Sequence, residues 1–289
     1  MRVRNIRPAD LAQVSGEPWV DPSRRPYVVS GVAYVPVRDG FPCDCEIERP
    51  AQYRGRGFFM LGDIAIIHGP APAPEELQKI VSLRKPRGVL LIHSVDGATR
   101  VPDCELLYGS SGEVRHRENG YDYSLDPVKV MFSQGNLAEK RRMASLVKPN
   151  ERVADMFAGI GYFTVPMAGA GARVHAMEIN PDAFSYLERN IAANRLSSQV
   201  TASLGDCRDL LTGTYDRIVM GHFDAITMLS AALSHAGPGT VIHLHSLGDA
   251  AGAIRAAISG AGFSADLHVH KVKKYAPHTW HIVQDIVIA

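Results

Sequence analysis

The chain has 289 residues, enough for two domains of ordinary size, and at 46% hydrophobic and 21% charged its composition excludes a disordered chain. A formal net charge of +1 excludes a global field that draws in polyanions, so any nucleic-acid surface has to come from local basic clusters. No apolar run reaches the length of a membrane span, and the basic N-terminus lacks the apolar stretch of a signal peptide. A cytoplasmic protein without membrane contact is expected.

Residues 1–112 read as a small α+β domain. Pro-rich and Gly-rich turns there separate short strands in YVVSGVAYVPV, GFFMLGDIAIIHG and RGVLLIHSV. Leu77, Ile80 and Leu83 fall at helical spacing and predict a helix over Pro74–Arg84. Cys43, Cys45, Cys104 and Cys207 make neither a disulfide framework nor a paired zinc signature, so reduced thiols and no metal are expected. A joining hairpin follows at 113–126, where Asn119-Gly120 sits between alternating runs.

Residues 113–289 then alternate strand and helix. Strands are expected at 153–157, 173–177, 200–203, 217–220, 240–245, 265–272 and 281–288. Helices are expected at 181–196, with Phe184, Leu187 and Ile191 on one face, and at 225–235, with Ile226, Leu229 and Leu233. This is the pattern of an α/β, doubly wound, Rossmann-like domain with a mostly parallel sheet. Between the last two strands no helical pattern intervenes, which predicts a terminal antiparallel hairpin.

The stretch VADMFAGIGYFTVP carries the chemistry. A strand ends at Asp155, and Phe157-Ala158-Gly159-Ile160-Gly161 makes a tight turn into a helix near Phe163. Gly159 and Gly161 let the backbone pass close under a ligand, and Asp155 either joins that contact or caps the turn. The third glycine of a dinucleotide fingerprint is replaced by Thr164, which favours S-adenosylmethionine, a donor without phosphates. Glu178 ends the next strand where ribose hydroxyls are bound. Asp206 and Cys207 follow the third strand, where adenine is bound. Either carboxylate alone reads as a solvated helix cap; the ordered set reads as a nucleoside site.

Three basic clusters stand out against the low net charge. They are Lys140, Arg141 and Arg142; Arg84, Lys85 and Arg87; and Lys271, Lys273 and Lys274 beside Tyr275, His278 and Trp280. Arg141, Arg142, Lys273 and Lys274 are the RNA-contact candidates. His243 and His245, and likewise His268 and His270, share strand faces but have no acidic or thiol partner nearby in sequence, so packed or surface histidines are expected.

KVMFSQGNLAEKRRMASLVKPNERVADMFAGIGYFTVP, EINP and KKYAPHTWHIVQDI together resemble the tRNA wybutosine-synthesizing protein 2 group. That group is sister to the archaeal-type tRNA guanine-37 N1-methyltransferases, and the resemblance spans 113–289 strongly and the small domain loosely. The glycine turn is common to both sisters. Two positions separate them: Gly135 stands where the methyltransferases have arginine, and Met220-Gly221-His222 stands where they have Asn-Leu-Pro or Asn-Pro-Pro.

The resemblance implies a class I S-adenosylmethionine-dependent fold. It implies transfer of the 3-amino-3-carboxypropyl group to C7 of 4-demethylwyosine at position 37 of tRNA-Phe, with recognition centred on the anticodon stem-loop. It implies no metal and no obligate protein partner. It places Ser133 and Lys140 at the methionine carboxylate or amine, Glu178 at the ribose, and Asp206 with Cys207 at the adenine. Gly221 is expected to leave open space beside His222, both as positioning candidates, and no general base is evident. The alternatives are a guanine-37 N1-methyltransferase, an RNA-binding module with a vestigial cofactor fold, and a small-molecule methyltransferase.

Overall fold

The computed structural model describes residues 1–48 and 55–289. They fall into two units, Met1–Gly55 and Arg56–Ala289. In the first, β1 (Arg2–Ile6), β2 (Tyr27–Val29), β3 (Val32–Pro36) and β4 (Cys45–Glu46) pair antiparallel in the order β2-β3-β1-β4, with a short helix α1 (Leu11–Val14) after β1. Alternation turns Val3, Ala33 and Val35 inward, where they are buried.

The second unit opens with β5 (Phe58–Leu61), β6 (Ile64–His68), β7 (Gly88–Asp96) and β8 (Val101–Gly109), adjacent in that order. β6 and β7 run parallel and are joined by α2 (Pro74–Arg84), with the bounds its apolar spacing predicts. Ile64, Ala65, Ile66 and Ile67 are all buried, as a strand covered on both faces requires. β8 escapes sequence patterning because Pro102 and Asp103 interrupt it. Only an edge strand, which needs no N–H donor on its outer side, accommodates that proline. The boundary expected at residue 112 lies inside this unit, ahead of the hairpin of β9 (Val114–Glu118) and β10 (Tyr121–Leu125). Asn119 and Gly120 take left-handed φ of 53° and 88° at its turn.

α3 (Leu137–Leu146) leads into the main sheet. In chain order this comprises β11 (Arg152–Asp155), α4 (Thr164–Gly169), β12 (Arg173–Glu178), α5 (Pro181–Ala193), β13 (Val200–Leu204), α6 (Cys207–Leu210) and β14 (Arg217–Met220). There follow α7 (Leu229–Leu233), β15 (Val241–Leu247), α8 (Ala251–Gly260), β16 (Ala265–Ala276) and β17 (Thr279–Ile288). The strand order is β13-β12-β11-β14-β15-β17-β16; the first five run parallel and β17 runs antiparallel to both neighbours. The helix expected over 225–235 begins as a 3-10 turn, Ala225–Met228, before α7.

Strand alternation divides the core. Val153 and Val219 join a cluster with Leu61, Leu90, Tyr123 and Leu187, which fuses the four-stranded sheet and the hairpin to the main sheet. Ala154, Ile218 and Met220 face the other way, against Leu229, Ile254 and Ile258. Among the described residues no helix is long and apolar enough to cross a membrane.

A buried ionic layer pins α3 to the sheet. Arg217 pairs with Glu151 at 2.7 Å and donates to Nε2 of His243, whose Nδ1 lies 2.6 Å from Asp285. An arginine only donates, so Nε2 accepts and the His243 proton sits on Nδ1, directed at Asp285. Asp285 also pairs with Arg142 at 2.6 Å, and Arg142 with Glu139 at 2.7 Å. Burial alone would raise the Asp285 carboxyl, but the bonds from His243 and Arg142 hold it far below the usual range.

Nearby, His245 Nδ1 and His281 Nε2 meet at 2.9 Å under the rings of Phe163 and Phe223. Burial pulls His281 down to about 4 and His245 well below the ordinary 6.5. Between those values the unfolded chain binds more protons than the folded one, so acid favours unfolding. Stability in urea melts is therefore expected to rise from pH 4 to 6.5, by at most ~1.4 kcal/mol per pH unit for each histidine. His281→Gln should remove one histidine's share of that slope. An unchanged slope would assign the acid loss to other groups.

Candidate active site

β11 and β12 are parallel neighbours, so their C-terminal ends open on one edge of the sheet. There Oε2 of Glu178 accepts the Gly159 N–H at 2.7 Å, and Oε1 accepts the Asn180 N–H at 2.7 Å. Burial raises the Glu178 carboxyl, and these backbone donors oppose the rise. Each oxygen keeps a second lone pair, so the grip leaves acceptor capacity for a ligand. Glycine is required at 159: its φ is 57°, and a Cβ would lie 2.6 Å from the Tyr162 ring.

A cavity of about 1230 Å³ opens at this edge. It exceeds the ~300–1,000 Å³ of ordinary small-ligand pockets. Its walls come from the β7–β8 turn, the segment 130–136, the glycine turn, the ends of β12, β13 and β14, and residues 273–275 of β16. Of the residues expected at the site, Ser133, Gly159, Glu178, Asp206 and Cys207 line it, as do Gly221, His222, Lys273 and Lys274.

Asp206 arrives engaged. It caps α6 by accepting the Arg208 N–H at 2.9 Å, and it pairs with the Arg208 guanidinium at 2.5 Å, which lowers its carboxyl pKa. Burial pushes the Cys207 thiol up to about 11, so it stays neutral beside Met228. His222 stacks on Phe157 at 5.5 Å, and its Nδ1 accepts the Asp224 N–H at 3.1 Å. The proton therefore sits on Nε2, a buried donor without a partner among the described residues. Burial, and then the field of Arg100, lower this imidazole's pKa. Gly221 lines the cavity, and a Cβ there would lie 3.1 Å from the Phe163 ring, which bounds the expected open space on one side.

The remaining expected residues stand outside the cavity wall. Asp155 is wholly buried under the turn, where Oδ2 accepts the Thr164 hydroxyl at 2.7 Å and burial lifts its carboxyl to about 6. Ala158 is buried, its N–H bonded to the Met177 carbonyl at 2.9 Å. Gly161, with φ 102°, lets α4 and α5 close on the turn, for a Cβ would meet Val165 at 2.8 Å and Leu187 at 3.3 Å. Lys140 is 1% exposed and pairs with Glu118 at 2.8 Å, its ammonium 4.8 Å over the Phe132 ring and 5.0 Å over Tyr162. Burial lowers that ammonium's pKa, and Glu118 opposes the fall. Arg142 belongs to the ionic layer, so it is not free for RNA. Arg141 is exposed, donating to Asn119 Oδ1 at 2.5 Å.

Several wall residues went unread in the sequence. Ile179 lines the cavity while 42% exposed; an apolar side chain directly after the strand-end carboxylate was the available signal. Asn180 caps α5 through its Oδ1, and its Nδ2 donates to the Thr99 carbonyl at 2.8 Å. That bond brings Arg100 to the wall, and nothing local in the sequence announces it.

Acidic groups cluster around the turn: Asp155 beneath it, Glu178 against it and Asp206 nearby. They offer acceptors to a nucleoside and suit a cationic sulfonium. Strand order, glycine turn and carboxylates together define a class I S-adenosylmethionine-dependent fold. A family model for the TRM5/TYW2 methyltransferase domain matches residues 114–272, and the chain belongs to that family. It is 37% identical over 238 residues to the tRNA(Phe) (4-demethylwyosine(37)-C(7)) aminocarboxypropyltransferase of Methanocaldococcus jannaschii, covering 78% of this chain and 95% of that protein. It is also similar to two solved structures. M. jannaschii TYW2 in complex with AdoMet gives a TM-score of 0.65 at 31% identity, covering 80% of this chain and 99% of that one. Trm5b of Pyrococcus abyssi gives 0.72 at 27% identity, over 100% of both chains.

Two substitutions test this assignment by calorimetry. Glu178→Gln should weaken the binding of S-adenosylmethionine about tenfold or more, since it removes a charged acceptor. Gly161→Ala should cost roughly 2 kcal/mol of stability yet leave the affinity of the folded protein unchanged. A stable G161A protein that fails to bind would place Gly161 under the ligand after all.

Proposed function

We propose that this protein transfers the 3-amino-3-carboxypropyl group of S-adenosylmethionine to C7 of 4-demethylwyosine at position 37 of tRNA-Phe. The observation that carries the reading is the end of β14. Met220-Gly221-His222 presents no side-chain amide there, and the Phe163 ring stands against Gly221. A methyltransferase acting on a guanine ring nitrogen needs an acceptor oxygen near the proton that must leave. The β14 end offers an apolar ring and a donor, His222 Nε2–H.

The sulfonium supplies three electrophilic carbons, of which the γ-carbon of the methionine chain is the one attacked here. The protein's share is alignment. Glu178 accepts from the ribose hydroxyls, Asp206 and Cys207 border the adenine, and Ser133 faces the methionine end. Phe157, Phe163 and His222 shape the wall against which the acceptor ring rests. As C7 bonds to the γ-carbon, the carbon–sulfur bond breaks, its electron pair stays on sulfur, methylthioadenosine leaves and C7 loses its proton. Close approach of the aligned groups provides most of the rate.

For the RNA, recognition centres on the anticodon stem-loop. Lys274 at the rim and exposed Arg141 provide the phosphate contacts. The setting is the cytoplasm. The rival is guanine-37 N1-methylation, from which the fold shared with Trm5b does not separate this reaction.

A transfer assay separates the two. S-adenosylmethionine labelled in either the methyl or the carboxyl carbon is offered with tRNA-Phe carrying 4-demethylwyosine, and with tRNA carrying unmodified guanine at 37. Carboxyl label should enter the tricyclic tRNA while methyl label remains in methylthioadenosine. Methyl label entering the guanine tRNA would establish the rival reaction.

A further inference from the structure

Gly135 stands on the cavity wall two positions after Ser133. A Cβ built on it would lie 2.2 Å from Nζ of Lys273 and 3.2 Å from its Cδ and Cε. The ammonium of Lys273, delivered from β16, occupies the place that any side chain at 135 would take. It is half-buried, and among the described residues no carboxylate, carbonyl or hydroxyl accepts from it. Its field reaches deep into the wall, lowering the pKa of His68, Lys140 and His281 after burial has done so. A half-buried ammonium with three open donors is free to take an anion from the cavity.

Lys140, the cation the family resemblance places at the methionine end, is closed off by Glu118. Lys273 is open, stands beside the same 133–136 segment and faces the cavity. We propose that Lys273 holds the α-carboxylate of the donor's aminocarboxypropyl chain, and that Gly135 is small so that it can. The proposal rests on reading the cavity as an S-adenosylmethionine site, and it is independent of which carbon is transferred. A phosphate of the RNA is the rival anion, for which exposed Lys274 at the rim is better placed.

The test compares S-adenosylmethionine with methylthioadenosine, which lacks the carboxylate-bearing chain, by titration calorimetry on the full chain. Lys273→Met should weaken S-adenosylmethionine about tenfold or more and leave methylthioadenosine unchanged, as loss of one charge-assisted contact requires. Unchanged methylthioadenosine binding also reports an intact cavity. Lys273→Arg should recover part of the loss. Gly135→Ala, which only displaces a flexible chain end, should shift the same preference by a smaller factor. Arg100, a second cation on this wall, is the competing candidate, and Arg100→Met is read in the same two titrations.

The proposal is overturned if K273M keeps the wild-type ratio of the two affinities, or if R100M abolishes it. If K273M keeps that ratio but binds tRNA more weakly, with a salt dependence shallower by about one counterion, Lys273 is a phosphate contact. Wild-type protein that binds neither nucleoside would overturn the site reading together with this one. Methyl transfer in the labelling assay would leave the Lys273 result standing.

Discussion

Glu178 links three segments that the chain delivers separately. Its two oxygens take the N–H groups of Gly159 and Asn180, which fixes the glycine turn against the end of β12. Asn180 then caps α5 with its oxygen and grips the Thr99 carbonyl with its nitrogen, so the β7–β8 turn is drawn to the same edge. A carboxylate this buried is costly unless each acceptor is met, and backbone donors meet them without spending side chains. The outer lone pairs that remain are what a ribose needs. Fold and ligand site thus draw on one interaction, and the rest of the cavity wall is arranged around it.

The parts of this arrangement that follow from chain order were legible in the sequence. In a doubly wound sheet the strand ends of one edge are equivalent, so a glycine turn after the first strand, a carboxylate after the second and an aspartate after the third converge whatever lies between them. Gly159, Glu178, Asp206 and Cys207 could be placed on that ground. The helix over Pro74–Arg84 and the Asn119-Gly120 turn were equally legible, since their signals are local. β8 was not, because an edge strand containing Pro102 carries no alternating pattern.

What the sequence hid was the choice of partner for each charge. Lys140, Arg141 and Arg142 form one basic run, yet they meet three different fates. Lys140 sinks onto Glu118 of the hairpin, Arg142 reaches Asp285 of β17, 143 positions away, and Arg141 stays at the surface. A helix face separates neighbours in sequence by about 100°, so adjacent cations address different surroundings. Whether one is solvent-facing or buried depends on an acid supplied from elsewhere. His243 behaves likewise. No acid stands near it in sequence, and the antiparallel pairing of β15 with β17 puts Asp285 opposite it.

The family resemblance separates this chain from the N1-methyltransferases at Gly135 and at Met220-Gly221-His222, and each stretch holds a glycine crowded by a residue from another segment. Phe163 of the turn stands against Gly221, and Lys273 of β16 stands against Gly135. The exchange at Met220-Gly221-His222 removes the asparagine, an acceptor for a ring proton, and the Phe163 ring supplies an apolar face there. The exchange at Gly135 changes the kind of cation as well as its origin. A guanidinium binds a carboxylate through two parallel bonds and dictates its plane, whereas an ammonium is a point charge that holds the group while leaving its rotation free. On the Lys273 reading the methionine chain keeps its rotation about that contact, and its alignment is shared by Ser133 and the apolar wall.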